Sequence, residues 1–262
     1  MSASTVSRVE IDGRPTTVER LHAVAVGGYG HFTAMQVRGG RVRGLADHLR
    51  RLDAANRELF GSALDGDLIR RHIRHALADD VSDASVRVHV LAADEVGATA
   101  VLVTVRPPGD MPPTPQALRS VPYLRAVPHI KRVGDFGQAH FRRQATREGF
   151  DEALLTGPDR VVAEGAITNI VFHDGTSLLW PDAPVLEGIT MQLLERALAT
   201  GPSPSRRGPV HLSDVGSFRA AFVTNSRGIA PVRLIDDVPI PVDTALTATL
   251  GQLYASIVWD RI

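Results

Sequence analysis

The chain has 262 residues, enough for one large domain or two modest ones with a sizeable hydrophobic core. Its 29 basic and 29 acidic side chains cancel, so no overall field favours binding to nucleic acid or to a membrane surface, and we expect a small ligand. The lack of cysteine excludes disulfides, a thiolate nucleophile and a zinc site built on sulfur.

Short strands dominate the first 46 residues. The segments VSRVEIDGRP, HAVAVGG and HFTAMQVRGGRVRG have a strand-like pattern, and Gly39-Gly40 supplies the positive-φ residues of a tight hairpin. Apolar residues at helical spacing then predict two helices, from Leu45 to Leu59 and from Asp67 to Leu77. SVRVHVLAAD and ATAVLVTVRP read as strands, and the five prolines of PPGDMPPTP predict a domain boundary.

The second half of the chain predicts further strands mixed with helices. LRSVPYLRAVP suggests a strand, and Phe136 to Glu148 suggests a helix with Gly149 as its C-terminal cap. DEALLTGPDRVVAEG and NIVFHDGTSLLWP read as hairpins, and AAFVTN as one more strand. Gly188 opens the helix ITMQLLERALATG, and TALTATLGQLYASIV predicts the last helix.

These elements predict an α+β fold, because strands and helices do not alternate strictly. We expect an N-terminal small domain over residues 1–108, a proline-rich linker over 109–117 and a C-terminal domain over 118–262. The first residues lack the apolar centre of a secretory signal, and no apolar run approaches the roughly 20 residues of a membrane span. The protein is therefore expected in the cytoplasm, without a membrane or nucleic-acid partner.

The informative feature of the composition is a single lysine, Lys131, among 28 arginines. Arginine replaces lysine well in ion pairs and phosphate contacts, but a guanidinium group does not condense with an aldehyde, whereas a desolvated lysine does. Chance survival of one lysine in an arginine-biased chain is the alternative. The neighbouring motifs have to decide between the two.

Three other features match the parts of a pyridoxal-phosphate site, which needs an acid for the pyridine nitrogen and an anion cradle besides the amine. Glu164 lies beside an otherwise apolar strand pair, although a surface glutamate at a turn is the alternative. Ile189 and Thr190 begin a helix, and Asn225 and Ser226 follow a strand, so both places offer donors to a phosphate. Simple capping is the alternative for both.

Arg51, in DHLRRLD, could add a bidentate contact to the same phosphate, although an isolated arginine on a helix is more often a solvated surface group. The histidines of RRHIRHAL have no carboxylate pattern beside them, so we expect no metal.

The order of these residues resembles the class IV aminotransferase family, the fold type IV pyridoxal-phosphate enzymes. In that family a lysine precedes a G-x-D-E-A-L-like stretch, an E-G-x-x-x-N-[IL] stretch and an L-x-G-[IV]-T-R-like helix start. The corresponding segments here follow Lys131 at 149–154, 164–170 and 186–190. The first half, HFTAMQVRGGRVRGLADHLRRL, follows the family pattern as well, so the resemblance spans most of the chain.

The resemblance implies a smaller N-terminal α/β sandwich, a larger C-terminal β-barrel-like domain with helices, and a homodimer. It implies that Lys131 carries pyridoxal 5′-phosphate as a Schiff base and moves the substrate proton, and that Glu164 pairs with the pyridine nitrogen. The residues implied to bind phosphate are Arg51, Ile189, Thr190, Asn225 and Ser226. The residues expected to contact the substrate, from the strand that lines the pocket in relatives, are Tyr29, His31 and Thr33.

Four positions depart from the family pattern: Tyr29, Thr33, Phe136 and Met191. They leave the cofactor residues in place but argue against a housekeeping branched-chain enzyme. We expect an aminotransferase that acts on an amino acid and a 2-oxo acid. The alternatives are a pyridoxal-phosphate-dependent 4-amino-4-deoxychorismate lyase, which the interval from Lys131 to Asp151-Glu152 favours slightly, and a non-catalytic member of the family.

Overall fold

The computed structural model describes residues 8–18, 21, 28–93, 98–199 and 204–262. These residues form two compact units. The first unit contains the described residues up to Gly109 together with Ile130–Gly134 and Val258–Ile262, and the second contains Asp110–His129 and Asp135–Ile257.

Strands and helices alternate irregularly along the chain. The strands are β1 (Arg8–Ile11), β2 (Arg14–Pro15), β3 (Gly30–Val37), β4 (Arg41–Arg43), β5 (Ala84–Ala92), β6 (Thr99–Arg106), β7 (Gln116–Pro122), β8 (Glu152–Thr156), β9 (Val162–Gly165), β10 (Asn169–His173), β11 (Leu178–Pro181), β12 (Ser205–Gly208), β13 (Ala220–Asn225), β14 (Gly228–Ile235), β15 (Val238–Pro239) and β16 (Trp259–Arg261). The α-helices of the described residues are α1 (Leu45–Phe60), α2 (Gly66–Leu77), α3 (Phe136–Arg147), α4 (Ile189–Leu198) and α5 (Thr244–Ser256).

The first unit is built on a five-stranded antiparallel sheet with the order β2-β1-β6-β5-β3. Helices α1 and α2 cover one face of this sheet, because alternate residues of the strands and the apolar stripes of both helices bury their side chains together. Leu52, Ile73 and Val88 are fully buried in that core. Only one face of the sheet is used in this way, so the side chains of the other face are left for other contacts.

The segment 130–134 joins the first unit by pairing with β3. Phe32 donates its backbone N–H to the Lys131 carbonyl over 2.8 Å, and Val133 donates to the Gly30 carbonyl over 2.9 Å. Strand β16 also belongs to this unit, since it pairs with β4. Two segments within the expected C-terminal domain over 118–262 therefore belong to the first unit, because backbone hydrogen bonds tie one of them to β3 and the other to β4.

The expected linker over 109–117 has little regular secondary structure, and strand β7 begins only at Gln116. Met111 donates its N–H to the Arg227 carbonyl over 3.0 Å. The boundary between the two units falls between Gly109 and Asp110, within this segment.

The second unit contains a nine-stranded sheet with the order β12-β11-β10-β13-β14-β7-β8-β9, and β15 pairs with β14. Its edge strand β9 contacts β10 and β11, so the sheet curls into a half-barrel. One core fills the inside of the curl around Phe172 and Val223, and a second core lies beneath α4 and α5 around Trp180. The curl brings the ends of β9, β10 and β13 to the start of α4.

Most predicted elements are present, including the hairpin at Gly39-Gly40 and the positive φ of Gly149 after α3. The predicted strand HAVAVGG lies outside the described residues except for its last glycine. Strands β12, β14, β15 and β16 were not predicted from the sequence. In the described part of the chain, every α-helix is too short or too polar for a transmembrane segment.

Candidate active site

Lys131 lies over an aromatic ring in the first unit. Its Nζ atom is 4.9 Å from the centroid of the Phe32 ring, a favourable position for a cation. The Phe32 ring also stacks on His89, with 5.1 Å between the centroids, and the Arg87 guanidinium carbon is 6.0 Å from the Phe32 centroid. The amine thus lies on the sheet face that helices α1 and α2 leave uncovered, beside a phenyl ring that sequence reasoning did not single out.

The three predicted substrate residues lie on the same side of strand β3, towards helix α1. Because successive side chains alternate, His31 and Thr33 face the helices, and they expose 1% and 0% of their surface. Burial lowers the pKa of His31 to about 4, so its imidazole is neutral. Tyr29 precedes the strand, is 53% exposed and packs edge-on against Phe60 of the same helix. Contact of these residues with a substrate stays a prediction, and Phe32 lies on the opposite face of the strand.

Thr33 instead links two side chains of helix α1. Its Oγ1 lies 2.6 Å from His48 Nδ1 and accepts a hydrogen bond from Arg51 Nη2. Since arginine only donates, the threonine hydroxyl hydrogen is available to His48, whose Nδ1 then acts as the acceptor. Burial, and next the charges of Arg51 and Lys131, hold the pKa of His48 well below its usual value, consistent with a neutral ring. Thr33, which is itself bonded to His48, thus fixes the direction of the guanidinium group of Arg51, the predicted phosphate contact.

Glu164, the predicted partner of the pyridine nitrogen, lies on β9 in the second unit and is buried. Its Oε1 is 3.6 Å from Arg125 Nη1, and its Oε2 accepts the Leu186 N–H over 3.3 Å. The Arg125 side chain is 3% exposed and also pairs with Asp135 over 3.3 Å. Sequence reasoning missed Arg125, because a lone arginine in LRAVP carries no signal of its burial.

The predicted helix start at Gly188 is present, and it has no side-chain cap and no acidic residue in its first turn. A Cβ atom on Gly188 would lie 2.1 Å from Asn169 Oδ1, so only glycine fits there. Asn169 in turn donates to the Leu186 carbonyl over 2.7 Å, which fixes the approach of the chain to α4. The first N–H groups of the helix, from Ile189 onward, and the positive end of its dipole therefore suit an anion.

The turn after β13 meets this helix start. Thr190 Oγ1 donates to the Asn225 carbonyl over 2.8 Å, and Arg227 N–H donates to Asn225 Oδ1 over 2.8 Å. Thr224 is 1% exposed, and its hydroxyl has no hydrogen-bond partner among the described residues. Ser226 is half-buried in the same turn. The structure thus brings Thr190 to the turn that contains Thr224, Asn225 and Ser226, and the binding of an anion there stays a prediction.

Glu152, at the start of β8, is a buried carboxyl group close to the same region. It accepts the Ile167 N–H over 2.5 Å and the Thr168 hydroxyl over 3.2 Å. Burial raises its pKa to about 7, against the opposing effects of these two hydrogen bonds and of the charges on Arg142 and Arg227. An acid with this pKa is partly ionised near neutrality.

A sequence model described as "Amino-transferase class IV" matches residues 30–235, which is most of the chain. The chain belongs to the class IV aminotransferase family. A comparison with curated protein sequences found no match.

Three solved structures illustrate the fold of this aminotransferase-family chain. A hypothetical aminotransferase from Mycobacterium tuberculosis, in a PLP-bound form, has a TM-score of 0.76 and 21% identity over 89% of this chain and 90% of that one. A branched-chain aminotransferase from Thermoproteus uzoniensis, with norvaline, has a TM-score of 0.81 and 19% identity over 96% and 94%. A putative 4-amino-4-deoxychorismate lyase from Legionella pneumophila has a TM-score of 0.79 and 21% identity over 89% and 93%. The expected type IV fold is confirmed.

Class IV aminotransferases are pyridoxal-phosphate enzymes, and pyridoxal 5′-phosphate is the cofactor of this family member. Taken separately, each unit holds groups of the kinds that bind this cofactor. Lys131 is a primary amine beside an aromatic ring, and Glu164 is a buried acid. Thr224 offers a buried hydroxyl without a partner in the described residues, next to an uncapped helix start at Gly188.

Replacement of Glu152 by glutamine should stabilise the aminotransferase-family chain at high pH and not at low pH. The folded-state pKa of about 7 lies above the model value of 4.5, so the native state binds more protons between these values and its stability falls as the pH rises through them. Glu152→Gln removes this loss. The free energy of unfolding of the variant, relative to that of the wild type, should therefore rise by on the order of 2–3 kcal/mol between about pH 5 and about pH 8. Urea unfolding of both proteins at both pH values measures this difference. A difference that does not change with pH would contradict the raised pKa of Glu152.

Removal of the Thr33 hydroxyl should weaken cofactor binding through Arg51. Thr33→Val keeps the shape of the side chain but deprives both Arg51 and His48 of their partner, so we expect about a tenfold higher Kd for pyridoxal phosphate. Thr33→Ser keeps the hydroxyl and serves as the matched control, with near-normal affinity. Fluorescence titration of the cofactor-free protein measures both; equal affinities for the two variants would refute the role of this hydroxyl.

Proposed function

We propose that the protein is a pyridoxal-phosphate-dependent aminotransferase that moves an amino group between an amino acid and a 2-oxo acid. The observation that carries this proposal is the placement of Lys131. The only lysine of the sequence is held by backbone pairing to β3, with its amine over the Phe32 ring. A lysine retained for charge alone would need neither feature.

Lys131 has two tasks in this proposal. When bound, pyridoxal phosphate supplies an aldehyde that captures amines and a ring that takes up the electron pair of the substrate Cα–H bond. The Lys131 amine holds the cofactor between turnovers and, once displaced by the amino group of the substrate, takes up and returns the Cα proton. Phe32 limits the positions that the amine can take, since the two are 4.9 Å apart.

Glu164 and Arg125 act together in this proposal. The Glu164 carboxylate would accept a hydrogen bond from the protonated pyridine nitrogen, which would keep the ring protonated and electron-poor. Arg125 and the Leu186 N–H hold the carboxyl group from two sides, at 3.6 Å and 3.3 Å. Because Arg125 and Glu164 are both buried, the carboxylate keeps a fixed direction and water does not compete for its oxygen atoms.

The residues proposed to bind the phosphate are those that the family resemblance implies, together with Thr224. Arg51 supplies the charge in the first unit, oriented by Thr33 and His48. In the second unit the donors are the first N–H groups of α4 and the hydroxyl and amide groups of the turn after β13. The residues proposed in the second unit are Ile189, Thr190, Thr224, Asn225 and Ser226.

A lyase that acts on 4-amino-4-deoxychorismate is the second function to test. The interval between Lys131 and Asp151-Glu152 favours it, and the Legionella structure is described as a putative enzyme of that kind. The two reactions differ in one requirement, because elimination releases pyruvate without an amino acceptor. Pyruvate formed from aminodeoxychorismate alone would select the lyase, and a strict need for a 2-oxo acid would select the aminotransferase.

We also propose a homodimer in the cytoplasm. The proposal of a dimer is supported by family resemblance, and that of the compartment by a sequence in which no apolar run is long enough to span a membrane. Light scattering on the purified protein tests the first, and fractionation of the source cells tests the second.

Replacement of Lys131 by alanine or arginine should abolish transamination. Both variants lack a primary amine at this position, so the rate with any active donor and acceptor pair should fall by about 10³-fold or more. Arg132→Ala, a change at the next residue of the same segment, is the matched control and should keep most of the activity. The measurement is keto acid formation in a screen of amino donors and acceptors.

Full turnover by Lys131→Ala would end the proposal. A wild-type protein that stays colourless when pyridoxal phosphate is added would instead support the non-catalytic alternative.

A further inference from the structure

Glu152 is a buried acid that none of the proposed chemical steps uses. Its burial costs free energy, because the carboxyl group loses its contacts with water, and an apolar side chain would avoid this cost. The residues facing it on the neighbouring strands, Leu118 on β7 and Gly165 on β9, carry no charge. Charges act on it from Arg142 on α3 and Arg227 in the turn after β13. The hydrogen bonds that the carboxyl group accepts indicate why it is there.

These hydrogen bonds come from the loop between β9 and β10. Glu152 accepts the Ile167 N–H over 2.5 Å and the Thr168 hydroxyl over 3.2 Å. A Cβ atom on Gly165 would lie 2.1 Å from Thr168 Oγ1 and 3.0 Å from Glu152 Oε1, so glycine is needed for the loop to close on the carboxyl group. Gln138 holds the same loop from α3 by donating to the Ala166 carbonyl over 2.6 Å.

Ile167 connects Glu152 to the turn after β13 through two hydrogen bonds made by its backbone. Its N–H is held by Glu152, and its carbonyl accepts from Asn225 Nδ2 over 3.4 Å. The Asn225 carbonyl accepts the Thr190 hydroxyl over 2.8 Å. Three consecutive hydrogen bonds therefore run from the buried carboxyl group to the first turn of α4.

We propose that Glu152 is a positioning residue for the phosphate-binding end of the cofactor site, acting through the Ile167 peptide and Asn225. The inference rests on the proposed function of Thr190 and Asn225. It assigns Glu152 the role of an acceptor that fixes the distance between the turn after β13 and the start of α4. Glu152 itself touches neither the cofactor nor the substrate in this role.

The first experiment separates positioning of the phosphate from general stability by comparing two ligands. Glu152→Leu fills a similar space without an acceptor, and it should raise the Kd for pyridoxal phosphate about tenfold, the effect of losing one hydrogen bond to a charged group. The Kd for pyridoxal, which lacks the phosphate, should change by less than about twofold on the same principle. Glu152→Gln keeps an acceptor for the Ile167 N–H and should restore the preference for the phosphorylated ligand.

The second experiment tests the path through Asn225. If Glu152 acts through this residue, Asn225→Ala should make Glu152→Leu silent, so that the double variant binds pyridoxal phosphate no more weakly than Asn225→Ala alone. Glu195→Gln, a change at an exposed ion pair with Arg207 on α4, is the control and should bind both ligands normally.

Several results would overturn the inference. Equal losses for pyridoxal and its phosphate would reduce Glu152 to a structural role, and additive losses in the double variant would remove Asn225 from the path. If Glu152→Leu does not fold, Glu152→Met, a flexible side chain of similar length, takes its place in both experiments. A wild-type protein that binds neither ligand refutes the proposed function and this inference together, whereas normal ligand preference in every variant refutes the inference alone.

Discussion

The backbone pairing of Lys131 with strand β3 is the constraint on which the rest of the site depends. Phe32 donates its N–H to the Lys131 carbonyl, and the same residue places its ring under the Lys131 amine. One residue therefore fixes both the main chain and the side chain of the lysine. The opposite face of β3 carries Thr33, which orients Arg51 through a hydroxyl group shared with His48. A two-residue stretch of one strand thus positions the amine and the arginine on its two faces.

In the second unit, hydrogen bonds and an ion pair between buried side chains hold the polar groups in place. Glu164 is held by Arg125, and the loop after β9 is held by Glu152. Burying these charges costs free energy, and Glu152 is destabilising at high pH by the sign of its pKa shift. Retention of such groups is typical of residues kept for the geometry of a site rather than for stability.

The sequence predicted the secondary structure and the order of the site residues well, because both are local properties. Helical spacing located α1 at Leu45 and α2 near Asp67, and the glycine at position 188 marked the start of α4. The missed strands β12 and β14 contain or adjoin prolines and arginines, so they lack a clear period-2 signal, and β14 also pairs with the distant strand β7. The pairing of segment 130–134 with β3 was not predicted either, because backbone hydrogen bonds leave no pattern in the sequence.

The direction of side chains could be predicted only in part. Tyr29, His31 and Thr33 were grouped as substrate residues, and the structure puts all three on the helix side of β3, with the half-buried Phe32 on the opposite face. Their contact with a substrate stays a prediction. Strand periodicity alone was enough to separate these faces, provided that one residue of known orientation was available. Arg125, His48 and Glu152 had no such signal, because burial of a charged residue depends on partners far away in the sequence.

The most direct test of the account is to find the amine that captures the cofactor. The protein is incubated with pyridoxal phosphate, reduced with borohydride, digested and mapped by mass spectrometry. The account predicts a phosphopyridoxyl group on the peptide that contains Lys131 and its loss in Lys131→Arg. A label confined to the α-amino group of the chain, or no label on a protein that nevertheless transaminates, would contradict it.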